Sequence, residues 1–70
     1  MTEKKFTLQQ EYIELIKLLK LLNIAESGAH AKFLVENSNV MLNGSTEYRK
    51  RAKVRAGDCI DCLGIRIIIE

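Results

Sequence analysis

Residues 43–57 read NGSTEYRKRAKVRAG, and how this stretch folds decides the architecture around it. It opens on Asn43-Gly44, a pair whose tolerance of positive φ makes it the strongest short hairpin signal, and closes on Ala56-Gly57 before a new strand-like run. Between them stand Arg49, Lys50, Arg51, Lys53 and Arg55, five of the eleven basic residues of the chain. Read as an extended strand, the segment turns Arg49, Arg51, Lys53 and Arg55 to one face, because successive side chains alternate. Tyr48, Ala52 and Val54 then face the interior, with Lys50 as the one charge on that side. The expectation is a cationic comb on a half-buried strand.

Upstream the hydrophobic period changes. Tyr12, Leu15, Ile16, Leu19 and Leu22 recur at helical spacing from about Gln10, and Ile13, Leu18, Leu21 and Ile24 widen that stripe. A helix this apolar is expected to pack on more than one side, as the central core element. Asn23 suits its C-terminal end. Ser27 is a good N-cap for a second helix over about Gly28–Glu36, with Ala31, Leu34 and Val35 turned inward. Gly28, Ala29 and Ala31 are small enough for the two helices to approach closely near the turn. Asn37-Ser38-Asn39 ends that helix, since Asn tolerates the left-handed conformation.

Val40-Met41-Leu42 and Ser45-Thr46-Glu47 flank the Asn-Gly turn as a hairpin. Downstream, Cys59–Cys62 reads as a short strand, Leu63-Gly64 as a turn, and Ile65–Ile69 as a β-branched strand covered on both faces or meeting a neighbour. KKFTL, residues 4–8, can form a strand against that C-terminal run. The predicted class is α+β, two packed helices against a small, mostly antiparallel sheet, in one domain spanning residues 1–70.

Order and motif together resemble a known family. A helix, a short turn, a Ser-capped helix reading Ser27-Gly28-Ala29-His30-Ala31-Lys32, then Val40-Met41-Leu42-Asn43-Gly44, a basic segment and Gly57-Asp58 resemble the αL RNA-binding motif, the S4-like domain. The resemblance covers roughly residues 12–61 and is strongest to short, free-standing bacterial members, which carry a similar Glu-x-Arg-Lys-Arg-x-Lys segment, here Glu47 to Lys53. It implies RNA binding without catalysis, by a monomer that contacts structured RNA, ribosomal or otherwise. Many members carry Arg directly after the capping Ser. Gly28 stands there in this chain, so that contact is absent or passes to His30 or Lys32. The implied RNA-binding residues are His30, Lys32, Arg49, Lys50, Arg51, Lys53 and Arg55.

Composition agrees with a folded, charge-segregated domain. Chains near 70 residues bury only about 60% of their unfolded surface, so a dense core is required, and 47% hydrophobic residues without proline supply one. Net charge is only +2, but its distribution is uneven. Residues 1–36 carry five basic and five acidic side chains, whereas residues 47–55 carry five basic and one acidic. A local patch of that kind is the electrostatic footprint of a nucleic-acid binder. The opening MTEKKFTLQQEY lacks a signal-peptide apolar run, and Lys17 and Lys20 interrupt the Leu-rich segment well short of a membrane span. A cytoplasmic protein with reduced thiols is the expectation.

Each feature has a plainer reading. Charged edge strands prevent sheet-to-sheet aggregation, which would explain the comb without any ligand. Lys32 would be an ordinary surface lysine and His30, solvent-facing by phase, would have a structural role or none. Tyr48 could stack on a base, but its alternation phase points to core packing. Asn43 serves backbone geometry at its turn. Cys59-Ile60-Asp61-Cys62 is a lone C-x-x-C whose sulfurs, three apart on a strand, face opposite sides. Two Cys and one His fall short of the four ligands of structural zinc. No nucleophile–base pair or paired carboxylates suggest an enzyme, and no cofactor is implied. Two other functions compete. One is helix-turn-helix DNA binding, which would want base-reading side chains where Gly28-Ala29 stand. The other is a protein-interaction module that uses the Ile-rich C-terminal strand as an edge.

Overall fold

Alternation of inward and outward side chains builds the main sheet, and two helices cover its apolar face. The computed structural model describes residues 2–70. In chain order the elements are β1 (Thr2–Phe6), β2 (Ile13–Glu14), α1 (Leu15–Leu21), α2 (Gly28–Glu36), β3 (Val40–Leu42), β4 (Ser45–Thr46), β5 (Lys53–Val54), β6 (Cys59–Cys62) and β7 (Ile65–Ile69). Five strands form a sheet in the order β1-β7-β6-β3-β4, and β2 pairs separately with β5. Every pair is antiparallel except β1–β7, which runs parallel with Phe6 opposite Ile69. The α+β class and the mostly antiparallel sheet are as the sequence predicts, and the N-terminal strand does pair with the C-terminal run, but over Thr2–Phe6 rather than residues 4–8.

Ile60 and Cys62 of β6 and Ile67 and Ile69 of β7 point inward with Val40. They meet Leu15, Leu18 and Leu19 of α1 and Ala31, Leu34 and Val35 of α2 in one core. Full burial of each such aliphatic side chain contributes roughly 1.5–3 kcal/mol. On the other side of the sheet Asp61 and Arg66 sit directly opposite one another, with Arg66 Nε 2.9 Å from Asp61 Oδ1. Strand β7 is paired on both sides, so the exposed Ile edge that a protein-interaction module would use does not exist.

Helix α1 starts at Leu15, five residues after the predicted start. Ile13 and Glu14 are extended instead and pair with Val54 and Lys53. Hydrophobic spacing reports which side chains are apolar; it does not report that a backbone ladder with a distant segment competes for the first helical turn. Tyr12 consequently leaves the core, and Leu21 is exposed rather than packed. Both helix ends close as Schellman turns. In the first, Asn23 (φ 59°) and Ile24 donate to Lys20 O and Leu19 O. In the second, Ser38, not a neighbouring Asn, takes the left-handed conformation (φ 63°), and Asn39 donates to Leu34 O. Ser27 caps α2 as expected, its Oγ accepting from His30 N–H at 3.1 Å. Of the small residues there, only Ala31 is buried; a Cβ added at Gly28 would meet nothing within 4 Å.

The comb is not a continuous strand. Only Lys53–Val54 is ladder-paired, and Arg49–Ala52 forms a turn closed by Ala52 N–H on Arg49 O at 3.2 Å. Alternation survives from Arg51 to Arg55: Ala52 and Val54 are buried while Arg51, Lys53 and Arg55 are exposed. Before the turn the expected phase is lost. Tyr48 is 62% exposed rather than in the core, and Lys50 reaches outward to α2 instead of inward.

Candidate nucleic-acid interface

The basic segment borrows its shape from α1. A helix leaves its first backbone N–H groups without internal partners. Glu14, at the N-cap of α1, offers no side-chain cap. The free donors go to the basic segment instead: Leu15 N–H donates to Ala52 O at 2.9 Å and Ile16 N–H to Lys50 O at 3.3 Å. Two carbonyls of the segment are thereby fixed against the helix start, and the β2–β5 pairing fixes Lys53 and Val54 next to them.

The far end of the segment is held by the two motif pieces that flank it in sequence. Asn43 takes φ 52° and Gly44 φ 86° in the two-residue β3–β4 turn, the geometry the Asn-Gly pair predicts. The Asn43 side chain then reaches across to the later turn. Its Oδ1 accepts from Cys59 N–H at 2.8 Å and its Nδ2 donates to Asp58 Oδ1 at 3.1 Å. The second oxygen of Asp58 accepts Arg55 N–H at 2.8 Å. Asn-Gly and Gly-Asp, remote in sequence, are thus one clamp on the backbone of Arg55. Backbone geometry alone was the expected role of Asn43, and its side-chain role required the fold.

The cations divide into two kinds. Arg49 lies in a forked contact with Glu47, Nε to Oε2 at 3.0 Å and Nη2 to Oε1 at 3.2 Å, and its own N–H donates to the same carboxylate. Those hydrogen bonds hold the Glu47 carboxyl below its ordinary range against the opposing effect of partial burial. Lys50 Nζ is 3.0 Å from Glu36 Oε2, which ties the turn to the last helical turn of α2. Arg51, Lys53, Arg55 and Lys32 form no ion pair among the described residues. Lys32 is exposed one helical turn before Glu36 on α2, so it continues the basic surface beyond the Glu36–Lys50 bridge. A shallow concavity lined by Arg49, Arg51, Ala52, Lys53 and Arg55 forms the rest.

His30 is half-buried, not solvent-facing, and its Nδ1 accepts Glu26 N–H at 3.0 Å. Together with the Ser27 cap it closes the start of α2 reciprocally, an arrangement akin to a capping box. Tyr12 is the residue that sequence reasoning missed. Its ring lies beneath Lys53 Nζ at 4.9 Å from the centroid and beside Arg55 Cζ at 6.0 Å. The signal that could have found it is its position one residue before a short β-branched or charged pair, Ile13-Glu14, able to bridge to Lys53-Val54. The periodic stripe masked that signal. The two thiols play no part: Cys62 is buried, which pushes its pKa up, and Cys59 lies on the other face of β6. No cluster of His, Cys, Asp and Glu able to hold a metal ion occurs among the described residues.

The S4 domain family matches residues 6–70, nearly the whole described chain. The chain belongs to that family. YbcJ of Escherichia coli K12 is 42% identical over 53 residues, 76% of each protein, and YbcJ of Shigella flexneri matches to the same extent. The solution structure of Escherichia coli YbcJ, with an αL motif involved in RNA binding, superposes with a TM-score of 0.67 at 36% identity, over 91% of this chain and 85% of that one. The helix pair that carries the αL motif is therefore the α1–α2 unit described above, and the family resemblance read from Ser27–Lys32 and Val40–Gly44 is correct. No helix among the described residues is long and apolar enough to cross a membrane.

Proposed function

We propose that this protein is a non-catalytic, monomeric, cytoplasmic RNA-binding protein that contacts structured RNA, ribosomal RNA among the candidates, through Lys32 and the Arg49–Arg55 segment. One observation carries the reading. Among the described residues, Arg51, Lys53 and Arg55 are exposed without carboxylate partners on a backbone clamped by α1 and by Asp58, and Lys32 is exposed and likewise unpaired on α2. A merely solubilising patch needs no such clamp, whereas phosphate contacts gain from cations held in register. Arg49 and Lys50 shape the surface through Glu47 and Glu36, and His30 holds the start of α2 from which Lys32 projects. Support for RNA as the ligand comes from family membership and from the RNA-binding αL motif of YbcJ.

Four free cations set the expected strength. With a single-strand slope of about −0.7 per phosphate contact, affinity should fall roughly 50-fold between 50 and 200 mM salt. The test is charge reversal, Arg51→Glu with Lys53→Glu, assayed by fluorescence anisotropy on fluorescein-labelled ribosomal RNA fragments. Affinity should drop at least tenfold and the salt slope should flatten, with the thermal melt lowered only slightly, since both side chains point outward but Lys53→Glu faces Glu14 across β2–β5 and leaves the Tyr12 ring. Unaltered affinity and slope would exclude this surface as the site.

A further inference from the structure

Phosphate contacts position an RNA but read no base, so what else the surface offers decides what kind of RNA it prefers. The chain has two tyrosines and no tryptophan, and both tyrosines border the basic segment in space. Tyr48 immediately precedes it, and Tyr12 lies under its far end. We infer that Tyr48 and Tyr12 are stacking platforms for unpaired bases, so that this surface selects RNA with a single-stranded loop, bulge or end over a continuous duplex. The inference rests on the RNA-binding reading above and deepens it.

Tyr48 is the stronger of the two. A tyrosine ring ordinarily buries most of its apolar area, yet this one is 62% exposed. It is nevertheless held in place. On one side Glu47 N–H donates to Val40 O at 3.0 Å, and on the other Arg49 N–H donates to Glu47 Oε2 at 3.0 Å. The Ser38 hydroxyl donates to the Tyr48 hydroxyl at 3.2 Å, so the tip is anchored to the end of α2. A ring fixed at both ends but uncovered loses little conformational freedom when a base stacks on it. Tyr12 is 37% exposed and is positioned by the adjacent β2–β5 pairing. Lys53 and Arg55 already lie over the Tyr12 ring and have no carboxylate partner among the described residues, so a base stacks there as these cations swing off the ring to its phosphate. Tyr48 and Lys53 are five residues apart and hence at most about 18 Å, so a short unpaired stretch can engage both rings and the cations between them. Stacking on aromatic faces is sequence-tolerant, and single-stranded loops are where RNA bases are free to do it.

The tyrosines themselves report the answer, since they are the chain's entire intrinsic fluorescence above the phenylalanine band. Two fluorescein-labelled RNAs of equal length are compared, a stem-loop with a purine-rich single-stranded loop and a fully paired duplex. Binding is followed by anisotropy and, with unlabelled RNA, by tyrosine emission corrected for absorption. The stem-loop should bind tighter and quench the emission, while the duplex should bind without quenching. Tyr48→Ala should lower stem-loop affinity about tenfold and leave duplex affinity and both salt slopes unchanged. Tyr48→Phe, which keeps the aromatic face but loses the Ser38 anchor, should lose at most a few-fold of stem-loop affinity, and Tyr12→Phe should isolate the Tyr48 quenching. Stem-loop binding without quenching, or equal losses for stem-loop and duplex in Tyr48→Ala, would overturn the stacking inference while leaving the RNA-binding reading intact. Failure of the wild-type protein to bind either RNA would overturn both.

Discussion

The β6–β7 hairpin and the segment from Glu47 to Arg55 both carry charge on strand-like sequence, yet they are built in opposite ways. The hairpin is a regular ladder, Cys59–Cys62 against Ile65–Ile69, with Ile60 and Ile67 opposite each other in the core. Its outward charges cancel across the strands in the Asp61–Arg66 pair. The basic segment has only two ladder residues, takes its remaining shape from α1 and Asp58, and leaves Arg51, Lys53 and Arg55 without carboxylate partners. Where charge is neutralised locally, the chain can afford regular pairing with side chains serving stability. Where charge is kept available, the backbone must be held by something other than its own side chains. On the proposed reading, that contrast separates stability from binding within one small domain.

The contrast breaks if mutations in the hairpin and in the segment have the same consequences. The largest effect belongs to the hairpin. Ile67→Ala removes a fully buried side chain beneath the helices and should cost about 2–5 kcal/mol in urea denaturation. A domain of this length is stable by roughly 4–10 kcal/mol, so the variant would be partly unfolded at moderate temperature. RNA affinity, referred to the folded fraction, should not change; a loss there would mean that the hairpin takes part in binding.

Asp58→Ala probes the clamp between the two regions. It removes the acceptors of Arg55 N–H and of the Asn43 side chain, which should cost about 1–2 kcal/mol. RNA affinity should weaken only a few-fold, because Arg55 keeps its charge and loses its positioning. A tenfold loss equal to that of charge reversal would instead make Asp58 integral to the contact surface.

The smallest effect sharpens the distinction within the segment. Arg49 depresses the pKa of Glu47, and a depressed carboxylate contributes stability that is fully present above its unfolded pKa and lost as pH falls through the lower folded value. The melting-temperature difference between wild type and Glu47→Gln should therefore be constant from about pH 5 to 8 and shrink below about pH 4. A difference that stays constant into acid would show that the Glu47–Arg49 fork adds nothing to folding, and Arg49 would join the free cations.

Much of this molecule is legible from local patterns. The Ser27 cap, the Asn43-Gly44 and Leu63-Gly64 turns, the inward set Ala31, Leu34 and Val35, and the outward set Arg51, Lys53 and Arg55 follow from capping chemistry, positive-φ tolerance and periodicity. The family was legible too, because its motifs coincide with those same local signals. The largest failures share one cause. Tyr12, Tyr48, Lys50 and the start of α1 depend on which distant backbone groups satisfy each other, and periodicity carries no such information.

From its sequence alone this chain is an α+β domain of the αL type with a concentrated basic segment, since capping, alternation and charge act within a few residues. Tertiary structure alone decided that the segment bends at Arg49–Ala52, that its carbonyls take the free N–H groups of α1, and that both tyrosines stand at its margins. Hydrogen bonds between residues some 35 positions apart are chosen by the whole fold, because only there do the unpaired groups of one element lie opposite those of another.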